Sequence, residues 1–477
     1  MVQFNNFSNL KHQTSNLSIR PKLSTRRPTI SPTSILLFCN LTDNFINCLS
    51  ILPGKITNML IKRNIIHELE EHLHRPEITL ITGARQIGKT TIMNILQEKL
   101  HNKGLPTLFF NLDFERDSKY FISQDAFLSK IKLEAGNGPI YVFIDEIQRK
   151  ENAGLFLKGI YDQQEQIKLI VSGSGSLELK EKIHESLVGR KRLFELLPVS
   201  FDEFINYHTE YRYKNQLKTY FEIEHEALIN HLNEYLMYGG YPAVVTETKK
   251  SEKIQVMNEI FSSYIHKDLS YLLNLDKPEN FVKLIEWLSH TAGSSLNYSK
   301  CSADIGISVP TLKKYLWYAE HTFIIKRITP FYKNKRKEIS KSPAVYFFDL
   351  GMKNFAFGNY GADISRLQAG QLFENFIFTI LYERLKNTPH QLHYWRTTDM
   401  AEVDFVITKG ADVIPVEVKY TSMTEDKAGK SFLSFIEKYQ PRIGYIVNLT
   451  GRFTKKVNNS QIYFIPYYNL LYEDFTG

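Results

Sequence analysis

A glycine-containing stretch at residues 83–90 has the residue types and spacing needed to bind phosphate. It reads GARQIGKT, which fits the pattern G-x-x-x-x-G-K-[ST]; an apolar strand (78–81) precedes it and a helix (91–100) follows it. Glycines let backbone amides approach phosphates, Lys89 supplies charge to the β- and γ-phosphates, and the Thr90 hydroxyl coordinates Mg²⁺. The expected ATP contacts are Gly83, Ala84, Arg85, Gln86, Ile87, Gly88, Lys89, Thr90 and Thr91.

A second acidic element follows this loop along the chain. The segment YVFIDE (141–146) is an apolar strand that ends in two carboxylates. Asp145 is predicted to hold Mg²⁺ through a water and Glu146 to polarise the attacking water, so the expected reaction is hydrolysis of ATP. The alternative is a pair of solvated acids at a strand end, which the apolar strand and its position after the loop disfavour.

A third candidate is the segment EVDFVITKGADVIPVEVKY, which carries acidic residues inside two apolar strands. With a two-residue turn at 410–411, Asp404 is predicted to lie opposite Glu417. The same register places Glu402 opposite Lys419. The apolar face is predicted to comprise Val403, Phe405, Ile407, Ile414, Val416 and Val418.

The other face of this hairpin gathers like charges. Carboxylates directly opposite each other destabilise a sheet unless a cation lies between them. The hairpin therefore predicts a divalent-metal site, with Asp404 and Glu417 as ligands and Lys419 positioning an attacking water. The alternative is an ion pair between Glu402 and Lys419 on an exposed face without metal.

The surrounding elements must position these residues. Strands alternate with helical stretches between residues 77 and 176, which predicts a parallel sheet covered by helices. Residues 203–275 are mostly helical, with a Gly-Gly-Tyr-Pro break at 239–242. The last 127 residues mix a helix (371–386) with the strands of the hairpin.

Residues 281–350 have the pattern of a helix–turn–helix followed by two strands. Gly306 breaks the chain, Ser308 can cap the second helix and Pro310 lies in its first turn. Leu312 and Leu316 are expected to face the interior. Lys313, Lys314 and Tyr315 are expected to face a ligand. With a basic run (333–341) as a wing, the module is predicted to contact nucleic acid; a plain interdomain or protein-interaction unit is the alternative.

Four segments together resemble a prokaryotic AAA-type P-loop ATPase family whose members carry a C-terminal domain similar to restriction endonucleases. They are GARQIGKTT, FIDEIQ, the SGSGS strand end and SLVGRKRLFELLPVSFDEF. The resemblance spans about residues 59–477. It implies that Ser172 or Ser174 is a polar sensor residue, and that Arg190 reaches nucleotide charge in cis or from a neighbouring subunit. A surface role is the alternative for Arg190.

The hairpin resembles the PD-(D/E)xK nuclease fold. Asp404, Glu417 and Lys419 match its motif residues, and Glu374 on the helix QLFENFIFTILYERL matches the acidic residue of the preceding helix. This resemblance implies a metal-dependent nuclease-like domain. Nuclease activity does not follow from it, because one fold hosts many functions.

These observations predict an α/β fold class: a P-loop NTPase parallel sheet with a helical lid, a winged-helix module and a C-terminal restriction-endonuclease-like α/β domain. The expected organisation is an N-terminal extension (1–58), an ATPase core (59–205), a helical lid or connector (206–279), a winged-helix-like module (280–350) and the nuclease-like domain (351–477).

Composition adds broader limits. The 477 residues are 43% hydrophobic and 23% charged, which is ordinary for a soluble multidomain chain, and the net charge of +8 weakly favours a polyanionic partner. Only three cysteines occur, without metal-ligand spacing, which suits a reducing cytosol. We therefore expect a cytoplasmic protein that is not bound to a membrane.

The first 42 residues contain no Asp or Glu and are rich in Ser, Asn, Thr, Lys and Arg. This composition resembles an organellar transit peptide. The favoured interpretation is a disordered extension, or sequence upstream of a true start at Met59. The apolar stretch at 34–52 is too short and too polar to span a bilayer.

Three functional hypotheses remain. The first is a Mg²⁺-dependent ATPase coupled to a nucleic-acid-related, nuclease-like domain, with DNA or another nucleic acid and a second copy of the chain as possible partners. The second is a regulatory or signalling ATPase whose C-terminal domains bind a protein partner. The third, a kinase-like small-molecule enzyme, is weakest because the downstream domains exceed its needs.

Overall fold

The computed structural model describes residues 59–135, 138–163, 166–174, 186–264, 278–332, 342–363 and 369–475. Leu60–Gly477 form one compact unit. The predictions for residues 1–58 and for the basic run at 333–341 fall outside the described residues. Among the helices that are described, none combines the length and apolarity needed to cross a bilayer.

The first sheet contains five parallel strands in the order β2-β3-β4-β1-β5. Its strands are β1 (Ile78–Gly83), β2 (Thr107–Asn111), β3 (Ile140–Asp145), β4 (Ile167–Ser174) and β5 (Lys191–Leu196). The accompanying helices are α1 (Ile65–His72), α2 (Lys89–Asn102), α3 (Glu115–Ser118), α4 (Gln124–Ala135) and α5 (Ala153–Asp162). This arrangement confirms the predicted P-loop NTPase sheet.

Helices cover both faces of this sheet, which is why its inner strands β1 and β3 are apolar without alternation. All six residues of β1 are buried. Met93 and Leu96 of α2 belong to the hydrophobic cluster on one face. Phe127 of α4 and Leu157 of α5 belong to the cluster on the other. All five strands run the same way, so their carboxyl ends meet at one edge.

A helical connector follows the sheet. It comprises α6 (Phe201–His208), α7 (Leu217–Ile223), α8 (His225–Tyr238), α9 (Pro242–Val245) and α10 (Lys250–Ser263). The Gly-Gly break ends α8, and Gly239 has a φ of +74° that favours glycine. The Gly240 amide donates to Asp349 Oδ2 at 2.7 Å, and its carbonyl accepts from the Val199 amide at 2.7 Å. The break thereby ties the connector to the segment that follows β5 and to residue 349.

Three helices and a two-stranded antiparallel sheet come next. They are α11 (Pro278–Thr291), α12 (Tyr298–Ile305), α13 (Val309–His321), β6 (Ile325–Ile328) and β7 (Ala344–Phe347). The predicted chain break and helix cap are confirmed. Gly306 has a φ of +79°, and the Ser308 hydroxyl accepts from the Thr311 amide at 3.2 Å. The expectation that Tyr315 faces a ligand is wrong, because its side chain is 5% exposed and packs against Phe281. Leu312 and Leu316 are buried, and Lys313 and Lys314 are exposed, as expected.

The C-terminal part contains a six-stranded mixed sheet in the order β12-β13-β11-β10-β9-β8. Its strands are β8 (Gln391–Arg396), β9 (Glu402–Lys409), β10 (Asp412–Val418), β11 (Ile443–Asn448), β12 (Phe453–Val457) and β13 (Ser460–Pro466). The helices of this part are α14 (Leu350–Phe357), α15 (Ala369–Leu385) and α16 (Lys430–Tyr439).

The predicted register of the β9–β10 hairpin is confirmed, because Lys409 pairs with Asp412 and Phe405 with Val416. The predicted single apolar face is wrong. Val406 packs against α16 on the second face, which is also buried, and Val403 joins it there.

The position of Val403 has a local cause. β8 pairs with β9 at His393–Val406 and again at Trp395–Val403. Between these two pairs β8 advances by two residues and β9 by three, so β9 contains one extra residue. An extra residue reverses the side-chain alternation of a strand. Val403 therefore points away from the face that Phe405 occupies.

One hydrophobic cluster, which we call the shared core, crosses all four parts predicted between residues 59 and 477. The ring of Phe201 lies at its centre. Its centroid is 5.5 Å from that of Tyr235 on α8, 5.3 Å from Phe376 on α15 and 5.8 Å from Tyr467. The parts predicted as separate domains therefore share one of the hydrophobic clusters that make up the interior.

Candidate nucleotide site and carboxylate cluster

The predicted phosphate loop joins β1 to α2 at the carboxyl edge of the first sheet. Gly88 has a φ of +98° and directly precedes α2, so a residue with a Cβ would be strained there. Gly83 is needed for a different reason, because a Cβ at this position would lie 2.3 Å from the Leu196 carbonyl oxygen. Along the loop, Ala84 and Ile87 are buried, Arg85 is half-buried, and Gln86, Thr90 and Thr91 are exposed.

The Lys89 side chain folds back over this loop. It is 6% exposed, and its Nζ donates to the carbonyl oxygens of Ala84 at 2.8 Å and Gly83 at 3.2 Å. A buried ammonium is costly unless it is hydrogen-bonded. The loop carbonyls therefore hold the charge of Lys89 inside the loop, beside the N-terminus of α2, where anions are favoured.

Asp145 joins the loop to two neighbouring strands. It is 1% exposed and ends β3. Its Oδ2 accepts from the Thr90 hydroxyl at 2.7 Å, and its Oδ1 accepts from the Ser172 hydroxyl on β4. The two groups predicted to share Mg²⁺, Thr90 and Asp145, are thus adjacent, and Ser172 orients the carboxylate.

Glu146 follows directly and leaves the strand through a left-handed conformation, with a φ of +57°. A non-glycine residue in this region marks local strain of the kind found at functional sites. Burial raises the pKa of Glu146, with Asp145 adding to the rise and Lys89 opposing it. The Glu146 carboxylate accepts a hydrogen bond from the Gln148 amide. The structure thus brings together Lys89, Thr90, Asp145 and Glu146, which the sequence had placed in separate segments.

Arg190 lies elsewhere. Its carbonyl accepts from the Ile78 amide, at the start of β1, whereas the phosphate loop begins at Gly83 at the other end. Five residue steps at about 3.3 Å separate these ends by roughly 17 Å. The guanidinium pairs with Asp162 at 2.7 Å. The prediction that Arg190 reaches the nucleotide of its own chain is therefore wrong; a contribution to a neighbouring subunit stays a prediction.

Ser174, the other sensor candidate, is the last residue of β4, and its backbone pairs with Gly83. This pairing brings the end of β4 beside the start of the phosphate loop. Ser172 makes the described contact with Asp145.

One residue outside the predicted set also supports the phosphate loop. Arg63 is a buried side chain whose Nε donates to Glu203 at 2.8 Å. Its Nη2 donates to the Leu197 carbonyl at 2.7 Å, and its Nη1 to the Ile87 carbonyl at 3.4 Å. No local pattern marks such a residue, since its main partner is 140 positions away.

The second candidate site lies at one end of the hairpin. Asp404 Oδ2 accepts from the Val418 amide at 2.6 Å, and Glu417 Oε1 accepts from Lys419 Nζ at 2.7 Å. Glu374 on α15 accepts from the Tyr346 hydroxyl at 2.7 Å. The alternative pairing of Glu402 with Lys419 is not what forms, because Glu402 lies 3.8 Å from Arg396 instead.

Four acidic side chains lie close enough to raise one another's pKa values. We call them the carboxylate cluster (Glu374, Glu402, Asp404 and Glu417). Burial first, then Glu402 and Glu417, raises the pKa of Glu374 to about 7. Burial first, then Glu374 and Glu417, raises the pKa of Asp404 well above its usual value. Burial alone would lower the pKa of Lys419, but Glu417 raises it. The cluster is therefore an electrostatically unfavourable arrangement that a cation would relieve.

The atoms of the carboxylate cluster fit a metal ion in one respect and not in another. Glu417 Oε2 is buried without a hydrogen-bond partner among the described residues, which fits a ligand. Against this, ligand atoms of the cluster do not gather tightly. Within the described ranges, one set of three His, Cys, Asp or Glu side chains has ligand atoms all within 4.8 Å of one another: His208, His231 and Glu234.

Three stretches of the chain match family models. Residues 75–205 match a family model described as an AAA domain. Residues 229–363 and 369–470 match two models described as domains of unknown function, DUF8612 and DUF4143. The first match covers the five-stranded sheet and its phosphate loop, and it supports an AAA-type P-loop ATPase domain with nucleotide binding.

Relatives extend over most of the chain. An uncharacterized protein of Methanocaldococcus jannaschii is 27% identical over 351 residues, which cover 72% of this chain and 75% of the relative. One of Haemophilus influenzae is 24% identical over 384 residues, covering 76% of this chain and 87% of the relative. AMPPCP-bound DnaA from Aquifex aeolicus aligns with 63% of this chain and 96% of that chain, at 14% identity and a TM-score of 0.26, a likeness too low to carry an argument.

Proposed function

We propose that this chain is a Mg²⁺-dependent ATPase whose nucleotide cycle acts on a nucleic-acid-related C-terminal domain. One observation carries the first half of the proposal. A buried lysine, a hydroxyl, a buried aspartate and a glutamate in a left-handed conformation converge where β1, β3 and β4 end, namely Lys89, Thr90, Asp145 and Glu146. This is the set that hydrolysis of a nucleoside triphosphate requires.

Each residue has a separate task. Lys89 and the backbone amides of the loop would bind the β- and γ-phosphates. Thr90 and Asp145 would hold Mg²⁺, which neutralises charge on the transferred phosphoryl group. Glu146 would orient the attacking water, and the burial that raises its pKa favours acceptance of a proton.

The test is ATP turnover of the full chain together with binding of a fluorescent ATP analogue. Lys89→Ala is expected to lose both binding and turnover, whereas Glu146→Gln is expected to keep binding and to lower turnover by about 10²–10⁴-fold. Lys99→Ala is the matched control, because Lys99 lies on the same helix, is 49% exposed and pairs with Glu70. Hydrolysis retained in Glu146→Gln would refute the assigned role.

The second half of the proposal concerns α11–α13 with β6 and β7, and the C-terminal sheet. The three helices and two antiparallel strands have the order of a winged-helix module, and the exposed Lys313 and Lys314 on α13 suit contact with phosphates. The carboxylate cluster suits a nuclease-like centre, in which Asp404, Glu417 and Glu374 would hold a divalent ion and Lys419 would position water. The unpartnered Glu417 Oε2 supports this assignment.

Cleavage of plasmid DNA with Mg²⁺ or Mn²⁺ tests this half. Asp404→Ala and Lys419→Ala are expected to abolish cleavage. Asp412→Ala and Lys409→Ala are matched controls, because both residues lie on the same hairpin and are exposed. Identical cleavage by the wild type and all four variants would refute the nuclease assignment.

The regulatory alternative also has an observation in its favour. The charges of the cluster are partly satisfied within the chain, because Lys419 pairs with Glu417 and Asp404 binds the Val418 amide. In that case the C-terminal domain binds a partner and does not cut. ATP turnover that responds to no nucleic acid, combined with no cleavage by wild-type protein, would favour this alternative.

A further inference from the structure

Two helices of the connector bring three metal-ligating side chains together, away from both candidate sites. His208 is the last residue of α6, and His231 and Glu234 lie on α8. A separation of three residues places His231 and Glu234 on the same face of their helix. One ligand atom from each of the three side chains lies within 4.8 Å of the other two.

Packing alone does not account for His208. Its ring centroid is 4.2 Å from that of Phe204 and 5.5 Å from that of His231. Its Nε2 is buried and has no hydrogen-bond partner in the described part of the chain. A buried polar atom left unpaired costs about 1–3 kcal/mol, so its placement beside another imidazole and a carboxylate needs a reason.

Burial favours the neutral form of both imidazoles, which is the form that binds metals. Burial, followed by the charges of His231 and Lys253, lowers the pKa of His208 to about 4, although Glu234 opposes the shift. Burial likewise lowers the pKa of His231.

The charges around the three side chains act in both directions. Lys253 on α10 lies 3.3 Å from Glu234 Oε1 and also donates to the Val244 carbonyl at 2.7 Å. Its charge opposes a cation, but burial lowers the pKa of Lys253. A carboxylate offers two oxygens, so Lys253 can orient Glu234 while the group still ligates, as the partners of metal-binding carboxylates commonly do.

We propose that His208, His231 and Glu234 form a binding site for a transition-metal ion, with Zn²⁺ as the best match. Two imidazoles and one carboxylate are a common zinc set, with a fourth position left for water. Imidazole ligands disfavour Mg²⁺ and Ca²⁺, which prefer oxygen. Ligands about 2.0–2.2 Å from a tetrahedral ion are roughly 3.4 Å apart, so small side-chain rotations close the set. The ion would pin the end of α6 to α8.

The test uses the full chain without an affinity tag, stripped with EDTA and free of nucleotide. Zn²⁺ is titrated in competition with a chromophoric chelator, and Co²⁺ binding is followed by its visible absorption. The wild-type chain is expected to bind one equivalent that gives the strong absorption of four-coordinate Co²⁺, whereas an ion held by the oxygens of the carboxylate cluster would absorb weakly as a six-coordinate ion. His208→Gln and His231→Gln are each expected to weaken binding by at least about tenfold.

Two controls make the result decisive. His225→Gln removes an exposed histidine from the same helix and should leave affinity unchanged. Glu417→Gln removes a proposed ligand of the carboxylate cluster and should leave the absorption of four-coordinate Co²⁺ unchanged. Zinc should raise the Tm of the wild type but not of His208→Gln, whose Tm in EDTA reports whether the variant folds. Equal affinity in wild type and both histidine variants, or equal loss in His225→Gln, overturns the proposal.

Discussion

Replacing Arg63 with methionine is expected to lower the free energy of unfolding by about 3–5 kcal/mol. The Arg63 side chain is 8% exposed and its partner Glu203 is 3% exposed. Methionine keeps most of the apolar stem, so the substitution removes the charge and the hydrogen bonds rather than the packing. Removing one member of a buried ion pair leaves the other charge uncompensated, which is the main source of the loss.

The contacts that Glu203 keeps in Arg63→Met determine where in this range the loss of unfolding free energy falls. Glu203 would still accept from the amides of Ser200 at 3.0 Å and Asn64 at 2.5 Å. These two hydrogen bonds keep part of its charge stabilised. The Leu197 carbonyl would lose a donor, at about 1 kcal/mol. We therefore expect a value near the lower end, about 3 kcal/mol.

The assay is urea unfolding of wild type, Arg63→Met, Glu203→Gln and the double variant. A double-mutant cycle isolates the pairwise energy, which should exceed about 1 kcal/mol because the pair is buried. Arg116→Met is the control, because Arg116 is 79% exposed and should change stability by less than about 0.5 kcal/mol.

A loss of less than about 1 kcal/mol for Arg63→Met would refute this reasoning, since that is the range of exposed ion pairs. The same variant is expected to weaken nucleotide binding, because Arg63 also contacts the Ile87 carbonyl of the phosphate loop. Unchanged nucleotide affinity in a destabilised variant would show that Arg63 supports the fold but not the loop.

Two further outcomes follow from named contacts. Gly83→Ala should lower the Tm, with a loss of about 1–3 kcal/mol, because its Cβ would meet the Leu196 carbonyl at 2.3 Å; Gly370→Ala, with no atom within 4 Å, should not. Burial raises the pKa of Glu383 to about 7, so its stabilising contribution is present below the unfolded pKa near 4.5 and is lost as the pH rises to 7. In urea unfolding, the free energy of unfolding of the wild type should fall between pH 4.5 and 7, and Glu383→Gln should make this fall smaller by about 1–3 kcal/mol. An equal fall in both proteins would contradict the raised pKa of Glu383.

Local pattern was sufficient where the deciding contacts are local. The phosphate loop needs a strand, glycines and a helix, and all three follow one another between Ile78 and Asn102. The hairpin register follows from the two-residue turn at 410–411 and period-two alternation. The caps of α13 depend on Ser308 and its near neighbours. In each case the sequence window contains every interacting group.

Prediction failed where a distant segment decides. The second face of the hairpin is buried because α16, which begins twelve residues after β10, packs on it. Val403 changes face because of how β9 pairs with β8. Tyr315 is buried by Phe281 of α11. None of these outcomes is visible in the hydrophobic pattern of a single element.

The shared core around Phe201 has a consequence for how the chain can be taken apart. A fragment ending near residue 350 would expose the surfaces that Phe376 and Tyr467 cover, and an apolar patch of that kind promotes aggregation. Calorimetry of residues 59–477 should accordingly give one melting transition rather than a series. Proteases should cut the intact chain at exposed loops, and the resulting pieces should stay associated until denaturant is added.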